Sequence, residues 1–261
     1  MEEKIAMLMD FSKEKFDIII QAGQSNADGS AHGPVEDYYE PNANVWYMNG
    51  NFVITEAVER VIYGNEIRGN FSLSFSREYI NNGLLGEGRK LLILRTAVGG
   101  TGFLDNRWKL TDDLYLRMME MIRTALALNP ENRLVALLWH QGETDALCKA
   151  SYEVHYHHLM TLLKSVREEF GVPELPFVAG DFVQQWKNDN IGICTPVVDA
   201  IRAVCRDCEK GSFVESEGLL SNAQEVYPNN TRLTDTIHFS RRSIYELGKR
   251  YFEAYSRLIA D

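Results

Sequence analysis

Short apolar runs alternate along this chain with stretches whose apolar residues recur at helical spacing. The first run, residues 16–20, reads FDIII and is nearly all apolar and β-branched, which is typical of a strand buried on both faces of a sheet. Comparable runs follow at residues 90–97, 134–139 and 176–183, with a weaker one at 212–215. These runs predict the strands of a central sheet.

Apolar stripes between the strands predict helices. One stripe lies within residues 114–122, and a second covers residues 159–170 and stops at Gly171, a residue type that commonly follows a helix end. A third helix is predicted to open with Thr195 as its N-cap and Pro196 at its first position. A last helix, with apolar positions such as Ile244, Leu247, Tyr251, Tyr255 and Leu258 on one face, is predicted to start near residue 240.

The alternation of buried strands with helices indicates a parallel sheet with helices on both faces. We therefore predict an α/β fold, a three-layer α/β/α sandwich with a central parallel sheet of about five strands, formed by a single domain over residues 1–261. Residues 28–70 interrupt the rhythm and are predicted as a loop and hairpin excursion over the sheet edge. The hairpin is placed at residues 45–53, because Asn49-Gly50 favours a type I′ turn.

Composition and charge narrow the choice of partners. The chain has 45% hydrophobic and 25% charged residues, as ordinary globular proteins do, and a net charge of −10, which argues against nucleic acid and anionic membrane surfaces as partners. The N-terminal residues, MEEKIAMLMDFSKEK, lack the uninterrupted apolar run of a secretory signal. Four cysteines are too few for a disulfide framework, so we expect a reducing cytoplasmic location.

Small and polar residues follow three of the predicted strands, at the sheet edge where ligands bind in parallel α/β folds. Ser25 follows the first strand within the turn GQSN, and Gly99-Gly100 follow the second. A serine in such a turn is often only a helix cap, and paired glycines are often only a turn. Nevertheless, a helix turn starting at Ser25 and a glycine turn beside it would both direct backbone N–H groups at one point.

The third strand is followed by HQGETD, residues 140–145, in which Thr144 or Asp145 could cap the next helix or the whole segment could belong to a site. Before the last helix, Asp235 and His238 are three residues apart in a predicted turn. A carboxylate at this spacing can accept the Nδ1–H of the imidazole, which leaves Nε2 free to take a proton from a serine. The alternative is a structural histidine near a helix start.

Four ordered blocks carry a resemblance to the SGNH hydrolases: GQSN at residues 23–26, AVGGT at 97–101, HQGETD at 140–145 and DTIH at 235–238. Within that superfamily the chain is most similar to the sialate O-acetylesterase-like and acetyl xylan esterase branch, carbohydrate esterase family 6. The resemblance covers about residues 16–240 and implies a flavodoxin-like SGNH fold.

The resemblance also implies a role for individual residues. Ser25 would be the nucleophile, His238 the base and Asp235 the acid that orients it. The oxyanion hole would consist of the Ser25 N–H, a backbone N–H of the Gly99-Gly100 turn and the Gln141 side chain, in the place where the wider superfamily has asparagine. No metal or organic cofactor is implied.

Some features depart from the family pattern or stay open. Ala27, Asp28 and Gly29 follow GQSN where the family usually has a bulky apolar residue, a second residue and glycine, so the pocket beside the serine is expected to be roomier or differently charged. Glu143 could assist His238 or make only structural hydrogen bonds.

Other motifs receive structural interpretations. Cys205 and Cys208 have the spacing of half a zinc site but no second pair, and His155 and His158 are predicted on a solvated helix face because no acidic partner is apparent. Three tryptophans that could stack on a sugar are expected mainly in packing roles: Trp46, Trp108 and Trp186.

These observations predict a serine esterase that removes O-acetyl groups from a small carbohydrate, either an acetylated oligosaccharide or a sialic acid. Two alternatives remain: a short-chain lipid or thioester hydrolase on the same fold, and an inactive carbohydrate-binding protein. The sequence does not determine the oligomeric state.

Overall fold

Seven strands form the central sheet of the protein. The structure, a computed structural model, describes residues 10–33, 39–61 and 67–260. Together with a separate two-stranded pair, β4 and β5, the strands are β1 (Lys15–Gly23), β2 (Val45–Met48), β3 (Ile54–Glu56), β4 (Arg60–Val61), β5 (Ile67–Arg68), β6 (Arg89–Arg95), β7 (Arg133–His140), β8 (Phe177–Gly180) and β9 (Gly211–Val214). The order across the sheet is β3-β2-β6-β1-β7-β8-β9. Within the seven-stranded sheet all pairs are parallel except β2 with β3, and the separate β4–β5 pair is antiparallel.

The five strands predicted from apolar runs are all present, and the fold class is confirmed. The sheet is larger than predicted because β2 and β3 extend it. Both strands come from the excursion, which was expected to lie over the sheet edge rather than within it. β2 pairs with β6 from Val45↔Leu91 to Met48↔Leu94.

Helices cover both faces of the sheet. They are α1 (Ser25–Asp28), α2 (Phe71–Asn81), α3 (Asp113–Ala127), α4 (Glu143–Leu147), α5 (Tyr152–Glu169), α6 (Gln184–Asp189), α7 (Ile191–Asp207) and α8 (Arg241–Ala260). The apolar residues of α3, α5 and α7 pack on one face, and those of α2 and α8 pack on the other.

β1 shows why a nearly continuous apolar strand suits the middle of this sandwich. Ile18 and Ile20 point into the core on one face and Ile19 into the core on the other, and all three are fully buried. Alternate side chains of a strand point to opposite faces, so a strand covered on both sides is mostly apolar. The two polar residues that β1 buries, Asp17 and Gln21, are hydrogen-bonded. Burial of each isoleucine contributes about 1.5–3 kcal/mol.

The predicted start of the third helix is wrong. α7 begins at Ile191, so Thr195 is not an N-cap and Pro196 lies inside the helix. The Thr195 hydroxyl instead donates to the backbone oxygen of Ile191, at 2.8 Å. Pro196 is the sixth residue of this helix and has no N–H to donate to the backbone oxygen of residue 192, so α7 lacks one intrahelical hydrogen bond there.

The hairpin is present, but its turn is not type I′. β2 and β3 pair from Trp46↔Glu56 to Met48↔Ile54, so residues 49–53 connect them rather than a two-residue turn. The Asn49 side chain accepts from the backbone N–H of Val53 at 3.1 Å, and Phe52, not Gly50, takes a positive φ of 64°. A side-chain hydrogen bond therefore shapes this loop.

None of the described helices combines the length and the apolar character needed to cross a bilayer. Residues 1–9, on which most of the N-terminal interpretation rests, and residues 34–38 and 62–66 of the excursion lie outside the described part of the chain.

β1 lies at the point where the strand order reverses. The chain passes from β1 to β2 and back to β6 on one side of β1, and then continues through β7, β8 and β9 on the other side. Connections leave such a point in opposite directions, which opens a crevice at the carboxyl ends of the strands. The end of β1 is therefore where the fold favours a ligand.

Candidate active site

The segment that carries Ser25 is held against the end of β7. Gly23 pairs with His140, and a Cβ on Gly23 would lie only 2.1 Å from the His140 backbone oxygen. Gly23 also has a φ of 131°, which favours glycine, and the next residue, Gln24, donates its N–H to the same oxygen at 2.9 Å. This close approach ends the strand and starts α1 at Ser25.

Ser25, His238 and Asp235 form one hydrogen-bonded row. The Ser25 hydroxyl lies 2.9 Å from His238 Nε2, and His238 Nδ1 lies 2.8 Å from Asp235 Oδ1. Because Nδ1 faces a carboxylate, the stable neutral tautomer carries its proton there and leaves Nε2 as the acceptor. The fold thus brings together groups that are 213 residues apart in sequence.

The row is accessible from one side. Ser25 is half-buried, and the side chains of His238 and Asp235 keep 24% and 20% of their surface exposed. A substrate can therefore reach the hydroxyl, while the imidazole stays fixed between its two partners.

Asn26 ties the turn after β1 to the loop that carries His238. Its Nδ2 donates to the backbone oxygen of Ile237 at 3.0 Å, and its Oδ1 accepts the N–H of Phe239 at 3.1 Å. These two residues flank His238. Asn26 is buried, so its hydrogen bonds hold Ser25 and His238 in register without competition from water.

Asn222 holds the carboxylate of Asp235. Its Nδ2 donates to Asp235 Oδ2 at 2.9 Å and to the backbone oxygen of Ser30 at 3.0 Å. Burial by itself raises the pKa of the Asp235 carboxyl, but the hydrogen bonds from His238 and Asn222 outweigh it and lower the pKa below its ordinary value. Asp235 is therefore ionised at neutral pH and can stabilise a positive charge on His238.

The glycine turn lies beside Ser25. A Cβ on Gly99 would lie 3.6 Å from the Ser25 Cβ, and Gly100 takes a φ of 70° with open space around it. The loop is attached to β1, since the Val98 N–H donates to the Gly23 oxygen at 3.1 Å. The structure therefore brings this turn next to the hydroxyl of Ser25.

Gln141 is fully buried behind the same turn. Its Nε2 donates to Asp145 Oδ2 at 2.9 Å and approaches Gln24 Oε1 at 3.5 Å, so its hydrogen bonds go to these neighbours rather than to Ser25. Gln24 Oε1 also accepts the Thr144 N–H at 3.1 Å. Gln24 thereby links the segment before Ser25 to the start of α4.

Asp145 and Thr144 do not cap α4. The N-cap is Gly142, which has a φ of 150° and makes no side-chain capping bond. A Cβ on Gly142 would lie 2.7 Å from Phe182 and 2.8 Å from Val197, so packing requires glycine at this position. The alternative interpretation of this segment as a capped loop is therefore wrong.

Glu143 is fully buried and contacts Asn26. Its Oε1 accepts from Asn26 Nδ2 at 2.8 Å and lies 3.9 Å from His140 Nε2. Burial raises the pKa of the Glu143 carboxyl, and the bond from Asn26 lowers it by less. Glu143 can influence His238 in two ways: through the Asn26 amide, to which its hydrogen bond runs, and through charge, because His238 lowers the pKa of the Glu143 carboxyl.

Asp28, the second residue after the GQSN block, is paired with two arginines. Arg60 Nη1 lies 3.0 Å from Asp28 Oδ2, and Arg95 Nη2 lies 3.2 Å from Asp28 Oδ1. Asp28 ends the short helix that Ser25 begins, and residues three apart share a helix face. The surroundings on this side of Ser25 thus carry a net positive charge.

The remaining sequence candidates occupy packing positions. Trp108 is fully buried and Trp186 nearly so, which fits the packing interpretation. His155 is also buried, with Nδ1 3.3 Å from Asp145, so its prediction on a solvated face is wrong. The acidic partner was missed because it comes from α4. In the described residues, no group of three or more metal-ligand side chains is gathered at one point.

Three positions at this site were not identified from the sequence as supporting the triad. Asn26 lies in the GQSN block and Asp145 in the HQGETD block. Both therefore belong to recognised motifs, although neither was given a supporting role. Asn222 lies in an irregular loop segment and carries no local signal.

Sequence comparison connects the chain to known esterases. The family described as "Carbohydrate esterase, sialic acid-specific acetylesterase" matches residues 15–257. A protein of Escherichia coli (strain K12) named "Probable 9-O-acetyl-N-acetylneuraminic acid deacetylase" is 28% identical over 90 residues, which are 32% of this chain and 28% of that protein. The chain thus spans less than a third of this relative's length. A probable carbohydrate esterase of Arabidopsis thaliana is 24% identical over 226 residues, 77% of this chain and 82% of that protein.

Solved structures share the fold. NanS superimposes with a TM-score of 0.80 at 18% identity, covering 95% of this chain and 98% of that one. XAC1771, a carbohydrate acetylesterase from Xanthomonas citri, gives 0.61 at 15% identity and covers 93% and 56%. A catalytic mutant of Axe2, an acetylxylan esterase from Geobacillus stearothermophilus, gives 0.51 at 11% identity and covers 93% and 95%.

Proposed function

Because the chain belongs to the carbohydrate esterases described as sialic acid-specific acetylesterases, we propose that it removes O-acetyl groups from carbohydrates through an acyl-enzyme formed on Ser25. The observation that supports this proposal most is the unbroken row of hydrogen bonds from Asp235 through His238 to Ser25, at 2.8 and 2.9 Å. Nucleophile, base and orienting acid at these distances are the arrangement that acyl transfer requires.

The first half of the reaction acylates the enzyme. His238 Nε2 takes the proton from Ser25 Oγ as that oxygen attacks the acetyl carbonyl carbon, and the carbonyl electrons move onto its oxygen. When the tetrahedral intermediate collapses, the bond to the sugar oxygen breaks and His238 gives the proton to that oxygen. Asp235 stays ionised throughout and stabilises the imidazolium.

The second half releases acetate. Water gives its proton to His238 and attacks the acetyl-enzyme, and collapse of the second intermediate breaks the bond to Ser25 Oγ, which recovers the proton. In both halves, the negative charge on the carbonyl oxygen would be stabilised by the N–H groups of Ser25 and of the Gly99-Gly100 turn and by the Gln141 amide. One donor of this kind contributes on the order of 10²–10³ in rate.

The charges beside Ser25 favour an acidic sugar among the acetylated carbohydrates. Arg60 and Arg95 share the single carboxylate of Asp28, and the Arg60 side chain is 46% exposed. A guanidinium with free N–H groups can bind a carboxylate in a bidentate manner. In a chain of net charge −10, this local excess of positive charge fits an O-acetylated sialic acid better than a neutral acetylated xylo-oligosaccharide.

The nucleophile is tested by Ser25→Ala, with Ser256→Ala, a half-buried serine of α8, as a matched control. We expect wild-type protein to release p-nitrophenol from its acetate ester and to be labelled by a serine-directed phosphonate. Ser25→Ala should abolish both reactions and Ser256→Ala neither. Labelling of the Ser25→Ala variant at wild-type rate would refute the assignment.

The substrate is tested by measuring acetate release from O-acetylated sialic acids and acetylated xylo-oligosaccharides. We expect a higher kcat/KM for the sialic acids, and Arg60→Gln should lower this preference by raising KM for the acidic sugar alone. An equal effect of Arg60→Gln on both substrates would contradict the role of charge.

A further inference from the structure

Asp145 is a fully buried carboxylate that the proposed reaction does not use. Its oxygens accept three hydrogen bonds: from the backbone N–H of Leu104 at 2.8 Å, from that of Phe103 at 3.1 Å and from Gln141 Nε2 at 2.9 Å. The imidazole of His155 closes the far side, 3.3 Å from Oδ2. Burial alone would raise the pKa of this carboxyl. The contacts with His155 and the backbone donors outweigh burial and lower the pKa below its ordinary value, so Asp145 is ionised.

The three donors come from the two segments that would complete the oxyanion hole around Ser25. Leu104 and Phe103 belong to the loop that follows the Gly99-Gly100 turn, and Gln141 is the proposed side-chain donor. The loop approaches the carboxylate so closely that a Cβ on Gly102 would lie 2.7 Å from Asp145 Oδ1. One buried anion therefore fixes both segments relative to each other.

The anion also determines which way the Gln141 amide faces. A carboxylate only accepts hydrogen bonds, so the amide must direct Nε2 towards Asp145. The other N–H of Gln141 Nε2 has Gln24 Oε1 as its neighbour. The two atoms are 3.5 Å apart, which is at the limit of a hydrogen bond. Among the described residues, Gln141 Oε1 is buried without a partner, so the amide orientation is set by its nitrogen.

We propose that Asp145 is a positioning residue of the oxyanion hole, which holds the Gln141 amide with one N–H available for the acyl oxygen. This inference rests on the proposed function. It assigns to Asp145 an effect on the transition state that acts through Gln141, without contact to the substrate.

The first test is Asp145→Asn. An asparagine that keeps its oxygen towards Leu104 turns its NH₂ group towards the N–H of Phe103 and the NH₂ of Gln141, so the Gln141 amide has to rotate. We expect kcat for acetyl ester hydrolysis to fall about 10- to 100-fold with KM within about twofold, because an oxyanion donor acts mainly in the transition state.

A double-mutant cycle with Gln141→Ala separates positioning from general damage. If Asp145 acts through Gln141, the kcat cost of Asp145→Asn should drop below about threefold in the Gln141→Ala background. The same cost in both backgrounds, or wild-type kcat in Asp145→Asn, would overturn the proposal.

An exchange variant covers the case in which Asp145→Asn folds poorly. In the double variant Asp145→Asn with Gln141→Glu, the asparagine amide can donate to the glutamate carboxylate, so the two side chains are paired again. The side chain at residue 141 then has no N–H for the acyl oxygen. We expect it to unfold at a higher denaturant concentration than Asp145→Asn alone while kcat stays at least about tenfold below wild type. Recovery of kcat together with stability would assign Asp145 a purely structural role.

Asp17→Asn is the matched control. Asp17 is equally buried and accepts from Arg89, Arg133 and Tyr79, but it lies near the start of β1, away from Ser25. This variant should lose stability and keep its kcat once folded. The proposed function is tested separately, because an inactive Ser25→Ala together with a fully active Asp145→Asn refutes this inference alone.

Discussion

At the scale of single residues, the geometry of the candidate triad depends on two amides that carry no charge and do no chemistry. Asn26 joins the turn of Ser25 to both neighbours of His238, and Asn222 joins Asp235 to the loop after α1. An amide suits this task because it donates and accepts at once, and it can therefore bridge a backbone oxygen and a backbone N–H.

Asn222→Ala should lower kcat about tenfold to 100-fold with little change in KM. Asp235 would lose a hydrogen bond of 2.9 Å, and a bond to a charged group contributes about 1.5–3 kcal/mol. The loss falls on the transition state, since the carboxylate is needed most when His238 is protonated. Steady-state kinetics with an acetyl ester measures it.

Asn132→Ala provides the comparison. The Asn132 side chain also bridges two backbone groups, the N–H of Phe16 at 2.6 Å and the oxygen of Ala125 at 2.8 Å, but at the amino end of the strands. It should destabilise the protein without lowering kcat. Equal kcat losses in the two variants would indicate general loosening of the fold instead of misorientation of Asp235.

Glu143→Gln should be more stable than the wild-type protein, by a margin that grows as pH rises. Burial raises the pKa of the Glu143 carboxyl in the folded state, with the nearby charges of His238 lowering it and those of Asp181 raising it. A glutamate in the unfolded chain ionises near pH 4.3. Between that pH and the raised pKa of the folded state, the folded protein binds a proton that the unfolded chain has lost. The free energy of unfolding therefore falls as pH rises, by about 1.4 kcal/mol per pH unit at most. Glutamine mimics the protonated acid and can still accept from Asn26 without this loss.

Urea unfolding of both proteins at pH 5, 6, 7 and 8 measures the difference. The free energy of unfolding of Glu143→Gln relative to wild type should increase across this series, whereas the exposed control Glu120→Gln should show no trend. A constant difference would show that Glu143 ionises normally in the folded protein.

The three members of the candidate triad were easier to find from the sequence than the residues that hold them in place. Ser25, Asp235 and His238 lie in recognisable turns at strand or helix ends, so their order along the chain indicates a common site. Asn222 could not be found in this way, because its value lies in contacts with Ser30 and His32 across 190 residues or more, and no local pattern encodes them.

At the scale of secondary-structure elements, the excursion is attached to both loops of the candidate triad. Glu59 pairs with Arg241 at the start of α8, three residues after His238, through bonds of 2.8 and 2.6 Å. The next residue, Arg60, pairs with Asp28 at the end of α1. Two consecutive residues of opposite charge thus connect the excursion to the segments of the proposed nucleophile and base.

Glu59→Gln should destabilise the protein by about 3–5 kcal/mol, because it removes the carboxylate that pairs with the charge of the fully buried Arg241. The double variant Glu59→Leu with Arg241→Met should be less destabilised than Glu59→Gln, since it buries no charge. Chemical denaturation of the three proteins provides the comparison.

The exposed pair Arg123–Glu120 gives the matched surface control. Glu120→Ala should change the free energy of unfolding by about 1 kcal/mol or less. A similarly small effect of Glu59→Gln would mean that the excursion is not held by this ion pair.

Strands buried on both faces were predictable, and the place of β2 and β3 in the sheet was not. A central strand such as β1 is mostly apolar on both faces, and this pattern is visible in the sequence. β2 and β3 are short, mixed in polarity and part of a hairpin, so nothing in them distinguishes a sheet edge from a loop over it. The start of α7 was placed too late because Pro196 resembles a helix opening, while the turn before it is stabilised by tertiary packing of Cys194.

At the scale of the whole molecule, a single sheet connects the two cores. The clusters on its two faces share β1, β6 and β7, whose side chains alternate between them. The candidate site depends on both cores. Ser25 follows the shared strand β1, and His238 precedes α8, which packs on one face. Gln141 follows β7 and precedes α4 and α5, which pack on the other face. Loss of either core should therefore remove the site.

This arrangement predicts that the chain unfolds as one domain, in a single cooperative transition. Fluorescence of Trp108 and Trp139, both buried in the core on one face, and far-ultraviolet circular dichroism should give the same midpoint in urea, and esterase activity should be lost at that midpoint too. The physical reason is that neither face can keep its helices once the shared strands separate. Activity lost at a distinctly lower urea concentration, with fluorescence unchanged, would instead show that the loops carrying Asp235 and the excursion open as a separate unit of lower stability.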